Sequence, residues 1–371
     1  MSVSRIRSIS AIALTGALAL SACASENPTT PGSTGGTGSA AAADCFSGDL
    51  KAEGSSAQKN AIAEAISSYQ EACADANIDY AATGSGAGIK QFIAKQVDFA
   101  GSDSALKTEE KDGKIESVEA KNSCGSDAWN LPMVAGPVAI AYNVKGVDKL
   151  VLNAEVAAKI FAGQITTWND PAIAALNKDA TLPATPIKVY FRSDESGTTE
   201  NFTKYLKAAA ESAWTAEPGK KWTGKGEGKE KSAGVATAVK GQDGGITYVE
   251  WSYAQQNQLS VAAIDTGAGA VELTGESAGK TIATAKQTGQ GNDLALKIDY
   301  ATKEPGAYPI VLVTYEIVCS KYADAEKGKQ VKAFLKHFAT ADVQKSLETK
   351  GYAPLPAEMQ TKVAAAVDAI S

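Results

Sequence analysis

Residues 78–103 read "IDYAATGSGAGIKQFIAKQVDFAGSD". A strand-like run opens the stretch and a glycine-rich turn interrupts it. Ile89, Phe92 and Ile93 then fall on one apolar helical face. A second short strand, "VDFAGSD", ends at the polar residues Ser102 and Asp103. Strand, turn, helix and strand in so few residues point to an α/β architecture, and the flanking sequence repeats the alternation. Upstream, "NAIAEAISSYQEAC" sets Ile62, Ile66, Tyr69 and Cys73 at spacings of four, three and four, which predicts a helix over Asn60–Ala76. Downstream, "GPVAIAYNV" and "IKVYFRS" are strand candidates, and "YPIVLVTYEIVCS" is the longest β-like run. The lysine- and glycine-dense residues 215–245 read as a mobile, solvated surface excursion. "AEKGKQVKAFLKHFAT" and "AEMQTKVAAAVDAI" predict amphipathic helices packed on the body.

The start of the chain has a different character. Arg5 and Arg7 precede the apolar segment "ISAIALTGALALSAC", which is too short to span a bilayer and predicts an export signal over residues 1–22. "LSAC" resembles the bacterial lipobox, so Cys23 is the expected lipidation (palmitate) site; an ordinary signal peptide with a spare cysteine is the other reading. Residues 24–43, mostly Pro, Gly, Ser, Thr and Ala, complete a flexible tether over 23–43 with a reach of roughly 25 Å. Together these predict a protein lipid-anchored to the cell membrane and facing the extracytoplasmic side. The net charge of −6 becomes −8 once the two signal arginines are removed, which argues against nucleic acid or an anionic surface as partner. The other four cysteines allow three disulfide connectivities; Cys45–Cys73 with Cys124–Cys319 is the pairing expected, buried free thiols being the alternative. The residues from Asp44 onward suffice for two domains.

The chemistry lies in a recurrence. Three strand-like runs end in small hydroxyl and glycine residues where a helix begins: "EGSSAQKNAI", with Ser55 and Gln58 spaced as a capping box; "TGSGAGIKQF" around Ser85; and "FRSDESGTTENF" after Phe191. Each helix start presents unpaired N–H groups and partial positive charge, so each is a potential anion seat, although each is equally an ordinary cap. Arg192 adds a planar fork of donors beside the third, and the three together point to an oxyanion. Asp103 sharpens this, because a carboxylate facing an anion repels it unless the ligand carries a proton. Hydrogen phosphate does and sulfate does not; the alternative is that Asp103 merely caps a turn. Catalysis has little support. The single histidine, His337, lies in an amphipathic run, "DESGTT" lacks the G-x-S-x-G elbow, and no cluster has metal-ligand spacing. No catalytic residue, metal or cofactor is expected. A secreted phosphoryl-transfer enzyme and a binder of sulfate or molybdate are the competing readings.

These residues resemble the phosphate-binding proteins that deliver phosphate to bacterial ABC transporters. The resemblance runs from about residue 48 to the C-terminus and is strongest in "TGSGAGIKQFIAKQVDFAGSDSAL" and "RSDESGTTENFTKYL". "AGQITTWNDPAIAALN", "GGITYVEWSYA", "YPIVLVTYEIV" and "GYAPLP" add to it. It implies a two-domain periplasmic-binding-protein fold of type II, hinge-linked, with ligand in the inter-domain cleft. Domain I would comprise residues 44–137 plus 312–371 and domain II residues 138–311. The chain would cross near Pro132–Ala139 and return near Ile310–Tyr315, placing Cys124 and Cys319 near the hinge. Carried across by motif, the phosphate contacts are Ser56, Ala57, Ser85 and Asp103 from domain I, and Arg192, Ser196, Gly197 and Thr198 from domain II. Ser56-Ala57 departs from the Thr-Phe or similar pair usual in the family. The implied partners are inorganic phosphate and the permease and ATPase subunits of a transporter, served by a monomer without enzymatic activity.

Overall fold

The computed structural model describes residues 44–110 and 113–371. The expected export signal (residues 1–22), lipidation site Cys23 and tether (residues 23–43) lie outside the described residues. From Gly48 the chain alternates strand and helix: β1 (Gly48–Gly54), α1 (Lys59–Ala72), β2 (Ala76–Ala81), α2 (Ser85–Ile93), β3 (Phe99–Ser102) and α3 (Glu116–Cys124). β1 pairs in parallel with both β2 and β3, as connections through helices require. α1 buries Ala61, Ile62, Ala65 and Tyr69, while Ile66 is only half-buried. It stops at Ala72, short of the predicted Ala76, because Cys73 leaves the helical conformation (φ −130°, ψ 74°) where it is bonded to Cys45.

β4 (Ala128–Asn143) follows and is the longest strand. Pro132, Gly136 and Pro137 interrupt its β-like pattern, which is why the sequence shows only its second half. β5 (Val151–Asn153), α4 (Ala154–Phe161), α5 (Pro171–Leu176), β6 (Lys188–Arg192), α6 (Gly197–Ala209), β7 (Glu227–Lys229), α7 (Lys231–Lys240) and β8 (Gly245–Glu250) come next. Then come α8 (Trp251–Asn257), β9 (Ser260–Val261), β10 (Ala263–Asp265), β11 (Ala270–Val271), α9 (Gly275–Ala283), β12 (Lys286–Gln287) and β13 (Leu296–Lys297). β14 (Val311–Cys319), α10 (Ala325–Phe338), α11 (Ala341–Glu348) and α12 (Ala357–Asp368) complete the chain. Among the described residues no helix is long and apolar enough to cross a membrane.

The main sheet runs β2-β1-β3-β14-β4-β8-β6-β7, with β9 also on β4. β4 joins its halves: residues 128–137 pair antiparallel with β14 and residues 138–143 with β8. Two large apolar cores lie along it. Leu50, Tyr69, Phe99, Leu131, Phe334 and Val367 belong to one; Val138, Tyr142, Trp168, Phe202, Val235 and Tyr248 belong to the other. β4 and β14 contribute to both. Their ladder slips by one residue between Thr314 and Tyr315, which face Val134 and Pro132, so that Met133 of β4 is the extra, bulged residue. The disulfides present are Cys45–Cys73 and Cys124–Cys319, with Cα separations of 5.3 and 5.4 Å.

Residues 215–245 are not a solvated excursion. Trp222 stacks on Phe191 at 5.7 Å and on Tyr248 at 5.2 Å, and α7 buries Val235, Ala236 and Val239. Lys221, Lys225 and Lys240 are exposed, and the few apolar residues between the lysines and glycines pack on the second core. Trp222→Ala should therefore cost about 3 kcal/mol of unfolding free energy in urea titration. A change within about 0.5 kcal/mol would mean that this segment does not support the core.

Candidate functional site

The ends of β1, β3 and β6, the starts of α2, α6 and α7, and the middle of β14 converge on Asp103. β3 ends just before it, and its carboxylate is buried, 3 % exposed. Burying a charge requires donors, and three hydroxyls from three elements supply them. Ser55 Oγ donates to Oδ1 at 2.5 Å, Thr314 Oγ1 to the same oxygen at 2.8 Å, and Ser85 Oγ to Oδ2 at 3.1 Å. Ser85 Oγ also accepts from the Asp103 N–H at 3.1 Å. Oδ2 keeps acceptor capacity and faces Gly197, where a side chain would stand 2.7 Å from it. Gly197 is therefore glycine because the first turn of α6 lies directly on Asp103.

Loop geometry explains the other glycines that matter. Gly54 (φ +145°) has no room for a side chain, since a Cβ would lie 2.0 Å from the Gly101 carbonyl oxygen; this close approach brings Ser55 to Asp103. The predicted capping box is absent. Gln58 is the N-cap without a side-chain cap, its amide donates to Tyr80 Oη, and Ser55 Oγ accepts from the Ala57 N–H at 3.0 Å. The requirement to satisfy Asp103 outweighs a local cap.

Arg192, 2 % exposed, ends β6. Its Nε and Nη2 donate to Asp194 at 2.7 and 2.5 Å, and Nη1 donates to Thr198 Oγ1 at 3.2 Å and Ser232 Oγ at 3.0 Å. Burial works against the guanidinium charge, but Asp194 restores it and holds the pKa above its usual value; in turn Asp194, despite its own burial, is held below the carboxylate range by Arg192. Thr198 Oγ1 donates to buried Glu250. Ser196 caps α6 by accepting from the Thr199 N–H at 3.1 Å, leaving its own hydroxyl proton to give. Ser56 Oγ lies 2.9 Å from Ser232 Oγ. The N–H groups of Ser56, Ser85, Gly197 and Thr198 have no protein acceptor among the described residues. With Arg192 neutralised by Asp194, the site offers an anion oriented N–H and O–H dipoles rather than net positive charge.

The structure thus brings Ser56, Ser85, Asp103, Arg192, Ser196, Gly197 and Thr198 together. The N–H of Ala57, its one donor, is spent on Ser55, and its carbonyl accepts from Tyr352. Sequence reasoning missed Thr314, Ser232, Asp194 and Glu250 and gave Ser55 only a capping role. Glu250 had a signal, since it ends a strand where α8 begins; Thr314 had none, because it lies inside the apolar run of β14. His337 sits on α10, bonded to Ser68 at 2.8 Å and lying against the Tyr69 ring, so it serves the first core. Around the site, Lys90–Glu195 (2.5 Å), Lys220–Glu116 (3.3 Å) and Lys107–Glu200 tie α2, α3 and the β3–α3 connection to α6 and its flanking loops.

Comparison with known proteins gives this geometry a place. Residues 29–342 match the family model of the PBP superfamily domain, the class that the sheet order and convergent loops define. Phosphate-binding protein PstS 3 of Mycobacterium tuberculosis is 46 % identical over the full length of both chains. Two solved structures share the fold. A phosphate-binding protein from Stenotrophomonas maltophilia is 20 % identical with a TM-score of 0.66, covering 86 % of this chain and 93 % of its own. One from Clostridium perfringens, described as a candidate phosphate ABC transporter substrate-binding protein with bound phosphate, is 17 % identical with a TM-score of 0.59, covering 83 % and 100 %. The chain belongs to the PstS family of phosphate-binding proteins within that superfamily.

Asp103 makes stability depend on pH. Burial raises its pKa from 3.8 to about 6, with the Glu250 charge adding to the rise and the Ser55 and Thr314 hydroxyls opposing it. An acid raised in the folded state contributes stability below about pH 4 that is lost as pH rises through about 6. In the ligand-free protein, Asp103→Asn removes that loss. Its unfolding free energy relative to the parent should therefore increase by roughly 2 kcal/mol between pH 4 and pH 7. A difference independent of pH would contradict the assignment.

Proposed function

We propose that this protein captures inorganic phosphate between two domains outside the cytoplasm and delivers it to the permease and ATPase subunits of an ABC transporter. The observation that carries this reading is the buried Asp103 carboxylate facing the donor-rich first turn of α6. Such a pairing suits an oxyanion that brings its own proton. Ser56, Ser85, Ser196, Gly197 and Thr198 donate to phosphate oxygens, Arg192 adds its fork, and Asp103 Oδ2 accepts the ligand's O–H. The paired Arg192–Asp194 charges leave discrimination to hydrogen-bond polarity.

In this reading domain I comprises residues 44–137 plus 312–371 and domain II residues 138–311. The separate apolar cores, divided along β4 and β14, support the division. Closure is a hinge motion on those two strands, and the closed form docks on the transporter as a monomer. Residues 1–22 direct export, Cys23 carries the lipid, and residues 23–43 tether the body to the extracytoplasmic face of the membrane. The function needs no cofactor and no reaction.

Calorimetric titration with phosphate of residues 44–371, unfolded and refolded in phosphate-free buffer, tests the binding. Sub-micromolar affinity is expected, and Arg192→Ala should lose about 2–5 kcal/mol of it. No phosphate heat from the parent protein would overturn the function; a loss below about 1 kcal/mol in the variant would place Arg192 outside the site.

A further inference from the structure

Ser232 is fully buried at the second position of α7, in the lysine- and glycine-rich segment. Its placement is built. Lys231 takes a left-handed conformation (φ 63°), rare for a residue with a side chain, and its N–H donates to Asp194 Oδ1 at 2.9 Å. One carboxylate therefore fixes both the Arg192 guanidinium and the first turn of α7.

Counting protons around Ser232 gives a definite result. A guanidinium only donates, so Ser232 Oγ must accept from Arg192 Nη1. Ser56 Oγ in turn accepts from the Ser232 N–H at 3.3 Å. The two hydroxyls carry two protons, and the 2.9 Å bond between them uses one. Neither oxygen has another acceptor in reach among the described residues. One proton is left over, whichever way the shared bond points, where Ser232 is 0 % and Ser56 2 % exposed. A buried hydroxyl proton calls for an acceptor, and the pair lies beside the Nη1 end of Arg192 that Thr198 also meets.

We propose that Ser56 and Ser232 act as one shared donor to the bound oxyanion, making the start of α7 a fourth helix terminus in the site. This rests on the proposed phosphate-binding function. Because the leftover proton sits on either oxygen, each hydroxyl can serve alone. Removing one leaves the other free to turn to the ligand; removing both deletes the donor.

Phosphate calorimetry on the refolded parent, Ser56→Ala, Ser232→Ala and the double variant tests this, with thermal unfolding of each ligand-free protein as the folding check. Each single substitution should weaken binding no more than about threefold, and the double at least about thirtyfold, well beyond the product of the singles. Ser56→Thr combined with Ser232→Ala keeps one hydroxyl and should bind like Ser232→Ala, which gives a second reading should the double variant not fold. Losses that simply multiply, or a Ser232→Ala loss as large as that of the double, would overturn the shared donor while leaving phosphate binding standing. A parent protein that binds no phosphate would overturn both.

Discussion

A carboxylate sealed from water at the meeting point of three chain segments is the constraint on which the rest depends. The Asp103 carboxylate is buried where hydroxyls from the β1–α1 loop, the start of α2 and the middle of β14 donate to it. For those donors to arrive, β1 and β14 must flank β3, and Gly54 must lie against Gly101. The arrangement has a local cost, the lost side-chain cap at Gln58. Leaving the charge unsatisfied would cost more.

The facing side is organised by Arg192 and Asp194. Their bidentate pair cancels one charge against the other, so the arginine works as a rigid frame of donors that positions Thr198 and Ser232. What remains for an anion is a set of helix starts and hydroxyls whose directions are fixed by packing. Aromatic stacking behind them, Phe202 on Tyr248 at 4.6 Å and Trp222 on Tyr248, keeps β6, α6 and β8 in register. On the proposed reading, selectivity follows from which ligand atoms can donate and which can only accept, a distinction that net charge cannot make.

Much of this was legible in the sequence because the strand-to-helix junctions carry their chemistry in contiguous residues. Ser85, Asp103, Arg192 and Ser196 each stand where an apolar run ends, so the alternation located them as well as the fold. Three features were hidden for physical reasons. Thr314 lies inside an apolar strand that is buried along its whole length, where a hydroxyl has no periodic signature. Ser232 follows glycines and lysines whose solubility masks the buried face of α7 and the stacked ring of Trp222. The full length of β4 is concealed by Pro132 and Pro137, which lack the N–H that a strand pattern presumes but sit where the ladder can spare it. Ser55 was visible and given the wrong partner, since a cap is a local solution and Asp103 is a distant one.

The most direct test of the central claim is the ratio of phosphate to sulfate affinity, measured by calorimetry at pH 7 on refolded parent protein and on Asp103→Asn. If Asp103 accepts the ligand's proton, the parent binds phosphate with no measurable sulfate heat. The variant then loses at least about tenfold of that preference, as a neutral amide no longer repels the fully ionised anion. A phosphate-to-sulfate ratio unchanged by the substitution would contradict the account.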